Sequence, residues 1–149
     1  MIYLEGDLIQ APQTVIVHGC NNRGVMGSGV ARQIRARWPL AYEVYNIQFT
    51  QAGLALGSLV NVQTEDGKII VNAITQDGFG GDGAMYVSYD AIEQCFIALN
   101  DYMRDWNLQE AALPRIGAGL GGGDWQVIEQ IINSTATNYT PVVYDFVPL

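Results

Sequence analysis

Glycine placement constrains this chain more than any other feature. Three clusters stand out: Gly24, Gly27 and Gly29; Gly78, Gly80, Gly81 and Gly83; and Gly117, Gly119, Gly121, Gly122 and Gly123. The first and third each fall between an apolar, β-branched run and a run with helical spacing. Glycine permits positive φ and lets main-chain N–H groups approach a neighbour with no Cβ in the way. Several N–H groups curled inward make an anion nest, and a following helix N-terminus adds a favourable dipole. For one cluster, tight turns alone explain the glycines equally well. Two clusters in equivalent strand–loop–helix contexts favour a diphosphate site.

The pattern between the clusters predicts the architecture. Residues 1–4 and 14–17 read as strands. Residues 29–38 read as a helix that stops before Pro39, and a second helical stretch covers 41–49. Residues 58–63 and 69–74 are strand-like, with Asp66-Gly67 as a hairpin turn between them. In 88–106, Ala91, Ile92, Cys95, Phe96, Leu99 and Met103 recur at helical spacing, with Ser88 as N-cap. Residues 111–114 form a short strand, 124–137 a helix capped by Asp124, and 141–146 a last strand. No repeat, low-complexity segment or linker interrupts this order, and 149 residues fit a single domain. The alternation predicts a three-layer α/β/α domain around a mixed sheet of about six strands. Ligands of such sheets gather beyond the carboxyl ends of strands. The loops after Val17, Ile74 and Pro114 are therefore the places to look for function.

Composition excludes several classes. Hydrophobic residues make up 49% and charged residues 15%, which describes a folded globular chain. No apolar run approaches the roughly 18 residues a membrane span needs. The first residues lack a basic stretch and a cleavage site, so a cytoplasmic, intracellular location is expected, with no membrane partner. A formal charge of −8 repels polyanions, so no nucleic-acid polymer is expected as partner. The expectation is a monomer with a small-molecule ligand. Arg23, Arg32, Arg35 and Arg37 supply four of the seven cations; they suit a small anion or, more simply, a solvated helix face. Cys20 and Cys95 are expected to stay reduced. With two cysteines and one histidine at no ligand spacing, neither a metal nor another cofactor is expected. Gly24-Val25-Met26-Gly27-Ser28-Gly29 is not G-x-G-x-x-G, and no G-K-[ST] occurs, which argues against a Rossmann dehydrogenase or an ATPase.

At these loops the sequence is similar to the macrodomain family, over essentially the whole chain. Gly6-Asp7-Leu8 resembles the family's G-D-[IL] motif, whose aspartate receives the adenine amino group. His18-Gly19-Cys20-Asn21 lies where many macrodomains carry N-A-A-N. Met26-Gly27-Ser28-Gly29-Val30-Ala31 resembles the first ligand loop, and Pro114-Arg115-Ile116-Gly117-Ala118-Gly119-Leu120-Gly121 the second. The resemblance implies binding of ADP-ribose or a related metabolite. It is nearest to the branch of ADP-ribose 1″-phosphate phosphatases and terminal ADP-ribose protein glycohydrolases. Those glycohydrolases use a lysine after the strand matching 69–74 and an aspartate in the second loop. Gln76 and Gly121 stand at those places here. A Schiff base needs an amine, and Lys68 precedes the strand. Hydrolysis of ADP-ribose 1″-phosphate is thus the first expectation. A non-catalytic binding module and a hydrolase of ADP-ribosylated macromolecules are the alternatives.

The resemblance implies a ligand set of Asp7, Leu8, Gly19, Cys20, Asn21, Met26, Gly27, Ser28, Gly29, Val30, Gln76, Ile116, Gly117, Ala118, Gly119, Leu120, Gly121 and Phe146, with His18 and Asn21 as catalytic residues. Each has a plainer reading. His18, the one side-chain type here that ordinarily titrates near neutral pH, suits acid, base or nucleophilic work, or is a core histidine. Asn21 would hold the distal ribose, its amide matching vicinal hydroxyls, or is a turn residue. Asp7 would accept from adenine, cap a short turn, or both. Phe146 would cover adenine or pack in the core. The glycine-rich stretch 77–83 is expected to be a mobile loop closing over the distal ribose, with Asp82 as an outside candidate for activating water. Tyr86 and Tyr89 are candidates to line the site.

Overall fold

A computed structural model of the chain describes residues 1–80 and 82–146. Gly81 of the second glycine cluster lies outside the described residues. The elements run β1 (Ile2–Glu5), a 3-10 turn (Leu8–Gln10), β2 (Val15–Asn21), α1 (Gly29–Arg37), α2 (Pro39–Ala52), β3 (Leu59–Gln63), β4 (Ile69–Gln76), α3 (Tyr89–Asp105), β5 (Glu110–Leu113), α4 (Trp125–Thr135) and β6 (Thr140–Asp145). The sheet order is β1-β6-β5-β2-β4-β3. All neighbours pair in parallel except the edge strand β3, from which the chain returns antiparallel as β4 after the Asp66-Gly67 turn.

Strand alternation distributes the core over two faces. Val15 and Val17 of β2 and Val71 and Ala73 of β4 join Ile92, Phe96, Leu99, Met103, Ile128 and Ile132 under α3 and α4. Ile16 and Ile70 meet Ile34, Trp38 and Ala41 of the α1–α2 layer, and Cys20 and Ile74 meet Tyr45. This is the three-layer α/β/α arrangement that the alternation predicts. Its central strands are buried on both faces, as parallel strands under helices must be.

Local chemistry sets the boundaries. α1 ends at Arg37 because Trp38 precedes proline and leaves helical geometry, and Pro39 opens α2 at its first position. The Asp66 carboxylate then accepts from Trp38 Nε1 (3.0 Å), from Arg37 (2.9 Å) and from the Thr64 hydroxyl. The Thr64 and Trp38 hydrogen bonds, with the Arg37 charge, hold Asp66 down at about 2 and dock the hairpin turn under the α1–α2 junction. Ser88 Oγ accepts from Ala91 N–H (3.1 Å) and Asp124 Oδ1 from Gln126 N–H (2.9 Å), so both residues cap their helices as expected.

The main departure is β2. The expected strand ends at Val17, but the observed one runs to Asn21. It is paired with β4 along its length and with β5 at its start, so ladder hydrogen bonds carry a polar, glycine-containing segment as strand. His18, Cys20 and Asn21 are therefore strand residues. The carboxyl ends of β2, β4 and β5 then lead into the three glycine loops.

Candidate functional site

A cavity of about 660 Å³ opens beyond these strand ends, within the usual size range of small-molecule sites. Its walls are Gly19, Cys20 and Asn21 from β2, residues 25–31, Gln76, Phe79 and Gly80, and residues 114–117 and 119–121. Both glycine loops singled out in the sequence thus line one space. Ser28 is the N-cap of α1 but makes no side-chain capping bond. The first N–H groups of that helix, at Gly29, Val30 and Ala31, have no capping side chain and belong to the cavity wall. α3 and α4, away from the cavity, have their N-termini closed by Ser88 and Asp124.

The glycines of the second loop divide into two kinds. Gly117 has φ of 78°, and a Cβ there would meet Val87 at 2.8 Å and Ile128 at 3.1 Å. It is needed by the fold. A Cβ on Gly119 would meet nothing within 4 Å, so that wall position is left bare toward open space.

Asn21 pins the first loop. Its Nδ2 donates to the Val25 carbonyl (2.7 Å), and its Oδ1 accepts from Arg23 N–H (2.9 Å). The Tyr45 hydroxyl donates to the Asn21 main-chain carbonyl (2.7 Å), with Oδ1 also in reach (2.9 Å). The amide keeps one Nδ2 hydrogen for a ligand. Turn residue and cavity wall are here the same residue.

His18 is not part of the walls. It points from β2 into the α1–α2 layer and is fully buried. Asn72 Nδ2 donates to the Ala41 carbonyl (3.1 Å), which fixes the amide so that Oδ1 accepts from His18 Nε2–H (2.6 Å). Burial pulls the His18 pKa down to about 4, against the opposing Asn72 hydrogen bond. The ring is neutral at physiological pH and out of reach of a ligand, so it offers no acid, base or nucleophile there. Cys20 does reach the wall, but burial raises its thiol pKa well above normal, and burial also pushes Cys95 to about 12. Both are free thiols of low reactivity.

Asp7, Leu8, Ala118 and Phe146 are also absent from the walls. Asp7 caps the 3-10 turn, accepting from Ile9 N–H (3.0 Å), and Leu8 is buried beneath it. Phe146 follows the end of β6 and is 68% exposed, neither covering a cavity nor packed in the core. The four clustered arginines do not line the cavity either. Arg23 pairs with Asp77, Arg37 with Asp66, and Arg35 lies over the Tyr42 ring at 3.8 Å.

The segment after β4 is tied to its neighbours. Asn22 donates to Asp77 Oδ1 (3.1 Å) and accepts from Gly78 N–H (3.0 Å), while Gln76 Nε2 donates to the Gly78 carbonyl (3.1 Å). At its far end, Tyr86 and Val87 N–H groups donate to the Gly121 carbonyl. Asp82 accepts from the Tyr86 hydroxyl (2.9 Å) and from Ala84 N–H (3.0 Å), and does not reach the cavity. Tyr86 and Tyr89 also stay outside it; the Tyr89 hydroxyl accepts from Asp124 N–H (3.0 Å). Six wall residues lie outside the expected ligand set: Val25, Ala31, Phe79, Gly80, Pro114 and Arg115. Phe79, 52% exposed, presents a ring from this segment. Arg115 is gripped in bidentate fashion by Asp145 (2.8 and 3.0 Å), and its presence in the Pro114-Arg115-Ile116-Gly117 motif was the available signal. Among the described residues, no group of three or more His, Cys, Asp or Glu side chains is placed to hold a metal, and no helix is long and apolar enough to cross a membrane.

This architecture has relatives. The Macro domain family model matches residues 17–132, and the chain belongs to that family. An uncharacterized 17.5 kDa protein of Enterobacteria phage T4 is 30% identical over 154 residues, covering 99% of this chain and 97% of its own. A DNA ADP-ribosyl glycohydrolase of Mycobacterium tuberculosis is 32% identical over 131 residues; the match covers 86% of this chain and 36% of that protein, so this chain spans about a third of its length. The solved macrodomain of Mycobacterium tuberculosis DarG superimposes with a TM-score of 0.85 at 30% identity, over 96% of this chain and 95% of that one.

Proposed function

We propose that this macrodomain binds ADP-ribose in the cavity and hydrolyses ADP-ribose 1″-phosphate to ADP-ribose and phosphate. One observation carries the reading: the uncapped first turn of α1 and the loop at 116–121 line the same 660 Å³ space. Neutral main-chain donors at a helix N-terminus suit a diphosphate without lysine or arginine, which reconciles an anionic ligand with a chain of net charge −8. Asn21, through its spare amide hydrogen, and Gln76 supply polar groups for the distal ribose.

The choice of reaction follows from what the walls carry. Among the described residues, no Asp, Glu, Lys or His lines the wall. Cleavage of a glycosidic bond relies on such groups as acid, base or nucleophile. Phosphoryl transfer asks mainly for positioning and for donors toward the phosphoryl oxygens. In the proposed step, water attacks phosphorus and the bond from phosphorus to the 1″ oxygen breaks. The proton given up by the water ends on that hemiacetal oxygen.

Release of inorganic phosphate from ADP-ribose 1″-phosphate tests the reading. Turnover by the unaltered chain, lost in Gly119→Val, is expected; no release at all overturns it. The likeness to DNA ADP-ribosyl glycohydrolases supports a second reading, removal of ADP-ribose from DNA. ADP-ribosylated DNA is incubated in parallel: free ADP-ribose from DNA without phosphate from the 1″-phosphate selects that reading. Binding of ADP-ribose with neither product selects a non-catalytic module.

A further inference from the structure

Most cations of this chain are matched with acceptors of their own. Arg23 pairs with Asp77, Arg37 with Asp66, Arg104 with Asp101 and Asp105, and Arg115 with Asp145. Lys68 Nζ donates to the Ala11 and Gln13 carbonyls (2.8 and 2.7 Å). Among the described residues, the side chains of Arg32 and Arg35 alone have neither an ion pair nor a hydrogen-bond acceptor, although the chain holds 15 acids to 7 bases. They stand one turn apart on α1, about 5–6 Å from each other at Cβ, where two like charges repel.

Both line a groove of about 640 Å³ between α1 and α2, with Tyr42 and Glu43 from α2 and Met26 and Gly27 from the loop ahead of α1. Glu43 is the groove's one carboxylate, and it pairs with neither arginine. The Arg35 guanidinium lies over the Tyr42 ring at 3.8 Å. Stacking uses the face of the guanidinium and leaves the donors in its plane free. Met26 and Gly27 also belong to the wall of the first cavity, so groove and cavity meet at this loop. Arg35 lies in the last turn of α1, where a cation complements the helix dipole, but Arg32 does not. A solvated helix face explains why both are exposed. It does not explain why two unpaired arginines share a recess that opens onto an anion site.

We propose that this groove binds the phosphodiester backbone of a nucleic-acid strand that carries ADP-ribose, with the nucleotide in the cavity and the strand leaving over Met26 and Gly27. The proposal rests on ADP-ribose occupying the cavity, and it gives the second reading above, removal of ADP-ribose from DNA, a place to hold the polymer. Guanidinium donors match phosphate oxygens in bidentate fashion, and two of them side by side suit successive phosphates. A nucleic acid presents such a phosphate at every residue, a protein only where it is modified. A chain of net charge −8 repels a free polyanion. Attachment through the cavity overcomes that repulsion, because the strand then meets the groove in an intramolecular step.

The test compares ADP-ribose with an ADP-ribosylated single-stranded oligonucleotide across a salt series, in the unaltered chain and in three variants. Where the oligonucleotide probe is cleaved, kcat/KM replaces affinity. In the unaltered chain the oligonucleotide probe is expected to bind about tenfold tighter than ADP-ribose at low salt. Its log affinity should fall with log salt by about 1.4 more, at about 0.7 for each single-strand phosphate contact. Arg32→Gln with Arg35→Gln removes both differences and leaves ADP-ribose affinity unchanged. Arg32→Lys with Arg35→Lys keeps the salt slope. Arg104→Gln, which removes a charge at the end of α3, keeps both differences. No gain from the strand, a gain that survives the double glutamine variant, or an equal loss in Arg104→Gln overturns the inference alone. So does an ADP-ribosylated phosphopeptide that shows the arginine-dependent gain where the oligonucleotide does not. Absence of ADP-ribose binding by the unaltered chain overturns the underlying reading and this inference with it.

Discussion

Acid protonates the unfolded chain at His18 long before it protonates the folded one. The ring is fully buried with its Nε2–H on Asn72, and its pKa lies at about 4 instead of the ordinary 6.5. Between those values the unfolded state binds the extra proton, so stability is intact above pH 6.5 and is lost as pH falls toward 4. The span from 6.5 down to about 4, at about 1.36 kcal/mol per pH unit, corresponds to about 3 kcal/mol. Most of it is gone by pH 4.5. Against a total of roughly 5–15 kcal/mol for a domain, this is a large share. The chain holds a single histidine, so its imidazole resonances in an NMR titration need no disentangling. The expected midpoint is near 4. Urea unfolding of the unaltered chain and of His18→Gln at pH 7.5 and 4.5 isolates the energy, because all carboxylates are common to both proteins. The difference between the two should shift by about 2–3 kcal/mol over that range. An NMR midpoint above 6, or equal pH dependence in both proteins, refutes the buried neutral ring. Turnover persisting in His18→Gln agrees with a ring that touches no substrate.

Other substitutions separate walls from scaffold. Gly119→Val, which adds atoms only toward open space, should leave Tm within a few degrees yet weaken ADP-ribose by about 100-fold or more, seen by calorimetry. Gly117→Ala forces a side chain into positive φ against Val87 and Ile128; a loss of about 2–4 kcal/mol in urea unfolding is expected. Asn21→Ala removes the pin between Tyr45, Arg23 and Val25. It should cost about 2–3 kcal/mol of stability together with ADP-ribose affinity, because the first loop loses its shape. Asp124→Ala removes an N-cap away from the cavity and should cost about 1 kcal/mol with affinity unchanged.

The parts legible in the sequence are those where local chemistry and the final environment agree. The helix over Tyr89–Asp105 was announced by six apolar residues at one spacing, and all six are buried. Both side-chain caps at Ser88 and Asp124 followed from residue type and position. The glycine loops were legible because glycine at a strand–helix junction has few other uses. β2 was cut short because His18, Gly19 and Asn21 carry no strand propensity; their extended form comes from pairing with β4, a tertiary effect. The same extension decides His18. A histidine taken to end a strand lies near a ligand, whereas one inside a central strand points into a helix layer on the alternation of the pleat. Asn72, its partner, is 54 positions away, and nothing in the local sequence announces it. Phe79 escaped the ligand set because a lone aromatic in a glycine-rich stretch has no periodicity to place it. Phe146 shows the converse: apolar character at a strand end fixed neither burial nor contact.

In the proposed complex, main-chain N–H groups at the start of α1 and in the loop after β5 hold the diphosphate. Backbone amide shifts during an NMR titration with ADP-ribose read those contacts residue by residue. The largest shifts are expected at Gly29, Val30, Ala31, Gly119 and Leu120, absent when Gly119→Val is titrated. Shifts confined to residues outside those two segments, or none at saturating nucleotide, contradict those contacts.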